Sequence, residues 1–229
     1  MTGVILSGGK NSRIGLKKAF LEIGGKRIID RTVEVYKKIF KEILIITNTP
    51  EDYQYLTQRV ILSEAKNLKL KIYTDLIPHR GSLGGIYTGL NYSKSDYAFF
   101  SACDMPFLNE KVIRHIIKGA KGQPPASPFI KGEGRGSKDY DIIVPYFKHR
   151  LHPLHAVYSK RCLPTIKEMV EKKRLKIKDI LSEAKASHYI IKIKKVTDIP
   201  ETRLPPFYNI NTIKDYRRAI KLQGGNYYD

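Results

Sequence analysis

Several things are scarce in this chain, and each shortage closes off a class of answer. Only two cysteines occur among 229 residues, Cys103 and Cys162, in different contexts and without metal-ligand spacing. Six histidines are scattered with no HExxH pattern. Both observations argue against structural zinc, and two free thiols in a reducing compartment are expected. No stretch approaches the roughly 18 consecutive apolar residues of a membrane span, so no membrane association is expected. The opening residues, MTGVILSGG, lack a charged region followed by a long apolar one, so no signal peptide is expected and a cytoplasmic location is. Acidic residues are few: 22 against 42 Lys and Arg, a net charge of +20. That excess suits an anionic partner, whether nucleic acid, membrane surface or phosphorylated small molecule. The lysines are spread along the whole chain, however, with no basic repeat interleaved with aromatics and no RNA- or DNA-binding signature. Most therefore read as a solvated surface, and no nucleic-acid partner is expected.

What is present is a core. Hydrophobic residues make up 41%, enough to exclude global disorder, and the length fits a single domain over residues 1–229. Continuous apolar runs read as buried strands at Gly3–Leu6, Glu42–Thr47, Leu70–Tyr73, Tyr97–Ala102, Asp141–Pro145 and Tyr189–Ile193. Helical patterns lie between and after them, at Arg27–Phe40, Leu83–Asn91, Glu110–Ala120, Cys162–Lys173 and Thr212–Leu222. Alternating strands and helices predict an α/β fold, a three-layer α/β/α sheet that is mainly parallel. Unbroken apolar strands fit burial on both faces. In such sheets ligands bind beyond the carboxyl ends of the strands.

Two segments interrupt the pattern and read as surface insertions, about 57–68 and 123–140. Gln123–Tyr140 is dense in Pro, Gly, Ser and charge and reads as a long loop. The string ILSEAK occurs twice, at Ile61–Lys66 and Ile180–Lys185. Two copies make no solenoid. Both resemble peptides encoded by dispersed bacterial repeat elements, which implies tolerated surface additions.

The stretch Val4–Phe20, VILSGGKNSRIGLKKAF, carries the first chemical signal. An apolar strand ends in Gly8 and Gly9, which let the backbone approach a ligand closely. Successive N–H groups there form an anion-binding concavity, and Arg13 and Lys18 add charge. The ligand that fits is a polyphosphate. Neither G-x-x-x-x-G-K-[ST] nor G-x-G-x-x-G is present, which argues against P-loop NTPases and dinucleotide-binding dehydrogenases.

Leu6-Ser7-Gly8-Gly9, Arg13-Ile14-Gly15, Lys18, Leu21 and Gly24-Gly25 together resemble the signature loop of the NTP transferases. Members of that family usually carry Met at the position of Ile14 and an acidic residue at that of Lys17. Composition cannot choose between Lys17 and Lys18; spacing from Arg13 matches Lys18 to the family's lysine. Three further stretches narrow the resemblance: TDLIPHRGSLGGIYTGL (Thr74–Leu90), FFSACDMPFLN (Phe99–Asn109), and the pair HPLHAVY (His152–Tyr158) with FYNINT (Phe207–Thr212). With these the chain resembles the molybdenum cofactor guanylyltransferase family, whose members join GMP to molybdopterin. The resemblance implies a Rossmann-like, nucleotide-diphospho-sugar-transferase-like sheet, GTP and molybdopterin as substrates, and release of pyrophosphate. It also implies transient contact with molybdenum-insertion proteins or molybdoenzyme chaperones.

The resemblance places Leu6, Ser7, Gly8, Gly9, Lys18, Asp75 and Asp104 at the nucleotide, and Asn209 and Asn211 at the acceptor. Asp104 is also the best metal ligand, a lone carboxylate at a strand's carboxyl end, and Mg²⁺ suits it; the alternative is a helix cap. Arg13 and Lys18 are the expected holders of the β- and γ-phosphates, with Asp104 the third catalytic candidate. Asp75 reads either as a nucleotide contact or as a turn-forming residue. Asn209 and Asn211 flank Ile210, so in an extended segment they point the same way; the alternative is two loop asparagines satisfying local backbone. Rival readings are a CTP-dependent molybdopterin cytidylyltransferase, a sugar- or polyol-phosphate nucleotidyltransferase, and a non-catalytic nucleotide- or RNA-binding module.

Overall fold

The computed structural model describes residues 1–8, 17–62, 68–120, 140–182 and 193–224. In chain order the strands and helices are β1 (Thr2–Leu6), β2 (Glu22–Ile23), β3 (Lys26–Arg27), α1 (Ile28–Tyr36), β4 (Glu42–Thr47), α2 (Gln54–Leu62), β5 (Lys69–Thr74), α3 (Gly81–Tyr92), β6 (Tyr97–Ala102), α4 (Glu110–Lys118), β7 (Ile142–Phe147), β8 (Arg150–Leu151), β9 (His155–Ser159), α5 (Leu163–Glu171), α6 (Asp179–Ser182), β10 (Ile193–Val196) and α7 (Ile213–Gly224). The main sheet runs β10-β7-β9-β6-β1-β4-β5. Along this order neighbours pair in parallel except at β9, which lies antiparallel between β6 and β7, and the short β8 also pairs antiparallel with β7.

The expected three layers are present, and the apolar runs explain them. Val4 and Leu6 of β1, Leu44 and Ile46 of β4, and Ala98 and Phe100 of β6 pack on one side with Leu83, Ile86 and Leu90 of α3 and Ile166 and Met169 of α5. The intervening residues Ile5, Ile43, Ile45 and Phe99 face the other side, with Ile29 and Val33 of α1 and Val112, Ile113 and Ile116 of α4. A strand buried on both faces has no polar positions to alternate, so its sequence is continuous hydrophobe. A third, smaller cluster joins Leu21, Ile23 and Ile28 to Phe107, Ile210, Ala219 and Leu222. It fixes α7 against the β2–β3 hairpin, whose turn residues Gly24 and Gly25 have φ of +59° and +71°. That pair of positive angles is the reason for the double glycine there.

Close approach is needed where α3 meets the sheet. A Cβ on Gly89 would lie 2.7 Å from Phe100 Cε1 and 2.8 Å from Val4 Cγ1. Gly89→Ala is expected to destabilise the fold by roughly 1–3 kcal/mol, as overpacking does, measured as a lower urea midpoint at unchanged slope.

Two expectations are corrected here, and a third lies largely outside the described residues. The strand β9 begins inside HPLHAVY, a stretch singled out for its motif and not read as a strand, and ends at Ser159. Of the last expected strand, Tyr189–Ile193, the first four residues lie outside the described residues, and Ile193 opens β10. The second ILSEAK copy is not wholly a surface addition, because Ile180 in α6 is fully buried in the core beneath α5. Of the first copy, Ile61 and Leu62 end α2 and the rest lies outside the described residues, as do residues 123–139 of the long loop.

Candidate nucleotide cleft

The carboxyl ends of β1, β4, β5 and β6 open onto a cleft of about 210 Å³. Leu6, Ser7 and Gly8, which end β1, line it, together with Lys18, Asp75, Asp104 and the first turn of α3. Gly9 and Arg13 lie outside the described residues.

The turn after β1 is held from the neighbouring strand. Ser7 N–H donates to the Ile46 carbonyl (2.8 Å), Thr47 Oγ1 to the Ser7 carbonyl (3.4 Å), and Asn48 Nδ2 to the Gly8 carbonyl (3.2 Å). The Cys103 N–H donates to the Leu6 carbonyl (3.0 Å), tying the end of β6 to the end of β1. Each bond satisfies a main-chain group at a strand end that has run out of ladder partners.

Lys18 and Asp104 meet across this turn. Lys18 Nζ lies 3.4 Å from Asp104 Oδ2, with only 17% and 18% of the two side chains exposed. The same ammonium donates to Asn211 Oδ1 at 3.2 Å. Burial raises the Asp104 carboxyl above the usual carboxylate range, and the Lys18 charge opposes that shift without cancelling it. Asp104 is not a helix cap: α4 is capped by Asn109, whose Oδ1 accepts from Lys111 N–H (2.9 Å) and Val112 N–H (3.3 Å). Lys17 also borders the cleft, but its ammonium pairs with Asp52. Its side chain is 45% exposed.

Asn211 arrives through an anchored segment. Ile210 is buried in the third cluster and its N–H donates to the Asp104 carbonyl (2.9 Å). The next turn is a capping box: Asp215 Oδ2 accepts from Thr212 N–H (2.8 Å) and Asp215 N–H donates to Thr212 Oγ1 (3.1 Å). Asn209, two residues earlier, is exposed. Asp75 forms the local turn and also faces the cleft. Its Oδ1 accepts from Thr88 Oγ1 (2.7 Å) and from Ile77 N–H (3.3 Å).

Two cleft features had no signal in the sequence reading. Cys103 lines the cleft, but burial pushes its thiol up to about 12, so it is neutral and no nucleophile. Tyr53, in the 3₁₀ turn Pro50–Tyr53, reaches the cleft wall and hydrogen-bonds Ser7 Oγ.

A mostly parallel sheet, covered on both faces and gathering a glycine turn, a lysine and a carboxylate at its strand ends, defines an α/β nucleotidyltransferase. Residues 3–188 match the MobA-like NTP transferase domain, and the chain belongs to that family. It is 33% identical to a probable molybdenum cofactor guanylyltransferase of Clostridium perfringens over 96% of each chain. It is 35% identical to the molybdenum cofactor guanylyltransferase of Desulfosudis oleivorans, over 96% of this chain and 94% of the relative. In fold it is similar to the crystal structure of molybdopterin-guanine dinucleotide biosynthesis protein A from Archaeoglobus fulgidus. That likeness has a TM-score of 0.71 at 23% identity, over 98% of this chain and 99% of the other.

Proposed function

We propose that this chain transfers GMP from GTP to molybdopterin, forming the guanine dinucleotide cofactor and releasing pyrophosphate. The observation that carries the reading is the convergence of Lys18, Asp104 and Asn211 beside the glycine turn, in a chain whose full-length relatives bear that activity in their names. The acceptor phosphate oxygen attacks the α-phosphorus of GTP, the bond from that phosphorus to the bridging oxygen breaks, and pyrophosphate leaves in line. Such a reaction needs alignment and charge neutralisation more than a covalent nucleophile. Leu6, Ser7 and Gly8 hold the nucleotide through the backbone. Lys18 holds the departing phosphates and stabilises the charge that develops on them, with Arg13 as its partner from the sequence pattern. Asn211, held by the Lys18 ammonium, and Asn209 meet the acceptor.

A divalent cation fits Asp104. Among the described residues no trio of His, Cys, Asp or Glu is gathered for a metal, so a protein cage is not on offer there. Mg²⁺ needs none, because it binds through one or two carboxylates plus substrate phosphates and keeps waters. When bound, it supplies screening between two anionic reactants. Action in the cytoplasm is part of the reading, supported by the free thiols Cys103 and Cys162, as is transient contact with proteins that insert molybdenum or receive the cofactor. Among the described residues no helix is long and apolar enough to cross a membrane.

The test is pyrophosphate release with molybdopterin, Mg²⁺ and each of GTP, CTP, ATP and UTP. Turnover with GTP is expected. Preference for CTP would make the chain a cytidylyltransferase, and release only with a sugar or polyol phosphate would move the acceptor. Salt-steep RNA binding without any release would replace catalysis by a binding module.

A further inference from the structure

Pro50–Tyr53 is a short turn with no catalytic side chain of its own, yet two of its residues grip the cleft from behind. Asp52 takes Lys17, and Tyr53 takes Ser7. Tyr53 is almost fully buried, 2% exposed. Its ring packs against Phe20 with centroids 5.0 Å apart, and Phe20 ends the 3₁₀ turn that begins at Lys18. One side chain thus touches both the glycine turn and the turn that carries the site lysine.

We propose that Tyr53 is a positioning residue for the nucleotide: its hydroxyl locks Ser7, and through it the glycine turn, in the conformation that receives GTP. The remaining polar groups of Ser7 are already committed, its N–H to Ile46 and its carbonyl to Thr47. Those two bonds fix the main chain at the end of β1 and leave the side chain to the Tyr53 hydroxyl, which meets Oγ, and to the neighbouring Cys103 thiol. Burial raises the Tyr53 phenol above its ordinary range, so the O–H stays protonated at neutral pH. A side chain held by packing and by a second partner presents its neighbours to a ligand without an ordering cost at binding.

This inference rests on the proposed function only in taking GTP as the ligand. It is tested on the full chain with Mg²⁺ and GTP, without acceptor, by calorimetry on wild type, Tyr53→Phe, Ser7→Ala and the double variant. Tyr53→Phe keeps the ring and its contact with Phe20. It is expected to weaken GTP binding about 3- to 10-fold, the scale of one hydrogen bond. Ser7→Ala, which also loses the contact with the Cys103 thiol, is expected to cost at least as much, and the double variant to lose less than the two single losses added, since the bond between Tyr53 and Ser7 is gone in all three. In turnover, KM for GTP rises and KM for molybdopterin does not, a split that general loosening of the fold would not produce. Wild-type affinity in Tyr53→Phe would overturn the proposal. So would additive losses in the double variant, because the hydroxyl would then touch the nucleotide itself. A wild-type chain that binds CTP, ATP or UTP in place of GTP would count against the proposed function, and the same four proteins are then compared on that nucleotide.

Discussion

Asp104→Ala is expected to abolish Mg²⁺-dependent pyrophosphate release while leaving the circular dichroism spectrum unchanged. The main chain at this position has its own anchor, the Ile210 N–H on the Asp104 carbonyl at 2.9 Å, and that bond survives the substitution. The lost group is a carboxylate that burial already disfavours in its charged form. Removing it relieves a desolvation cost as well as losing the attraction of Lys18, so the fold has little to lose. Catalysis loses the one carboxylate that the described cleft offers beside Lys18. Pyrophosphate release measured across a Mg²⁺ titration checks this, with Asp104→Asn as the isosteric control. Full activity in either variant would remove Asp104 from the mechanism.

Lys18→Ala should cost about 10²–10³ in kcat/KM, the loss found when one preorganised charge-stabilising donor is removed. Lys17→Ala should cost far less. The two side chains are neighbours of identical chemistry, so the difference rests on direction alone. Lys18 is 17% exposed and faces Asp104; Lys17 is 45% exposed and faces Asp52. An exposed pair contributes about 0–1 kcal/mol and weakens with salt. The measurement is kcat/KM for both variants at two ionic strengths, with any Lys17→Ala loss shrinking at the higher one. Equal losses, or a larger loss at Lys17, would reverse the register of the whole site.

Lys18 was preferred to Lys17 by spacing from Arg13, and the structure brings Lys18 to Asp104 and Lys17 to Asp52. The four strands β1, β4, β6 and β7, buried on both faces over most of their length, were legible in the sequence, since their centres are unbroken apolar runs such as ILII and AFF. His155–Ser159 was not legible as a strand. It is short, it follows Pro153, and its first residue is a histidine. The structure buries that imidazole between Phe99 and Phe207, with ring centroids 5.1 and 5.0 Å away. Burial drives its pKa down to about 3, so it sits there neutral. A local pattern cannot announce such a partner 52 residues downstream. Tyr53 was hidden for a similar reason. PEDY reads as an ordinary solvated turn, and only the return of β4 alongside β1 brings its hydroxyl to Ser7. Asp75 could be read as lying just past a strand end, yet its bond to Thr88 depends on where α3 docks. Residues that act from their own strand end could be read locally, whereas those recruited by tertiary packing could not.

The bond from Lys18 to Asn211 spans 193 positions of chain, and the bond from Lys18 to Asp104 spans 86. Two more long ties, from Arg31 to Gln223 and from Tyr216 to the Glu22 carbonyl, secure α7 to the first thirty-odd residues across separations of 192 and 194. Synthesis runs from the amino end. A nascent chain that has emerged as far as Asp104 therefore already carries Ser7, Lys18, Tyr53 and Asp75, but neither asparagine. Closing so long a loop costs little extra entropy, about 0.6 kcal/mol per doubling of length, so the delay is one of time rather than of stability. The strand-end side of the cleft has its residues while more than half the chain is still to be made. The two asparagines arrive only just ahead of α7, and a chain cut short before Asn209 would lack both.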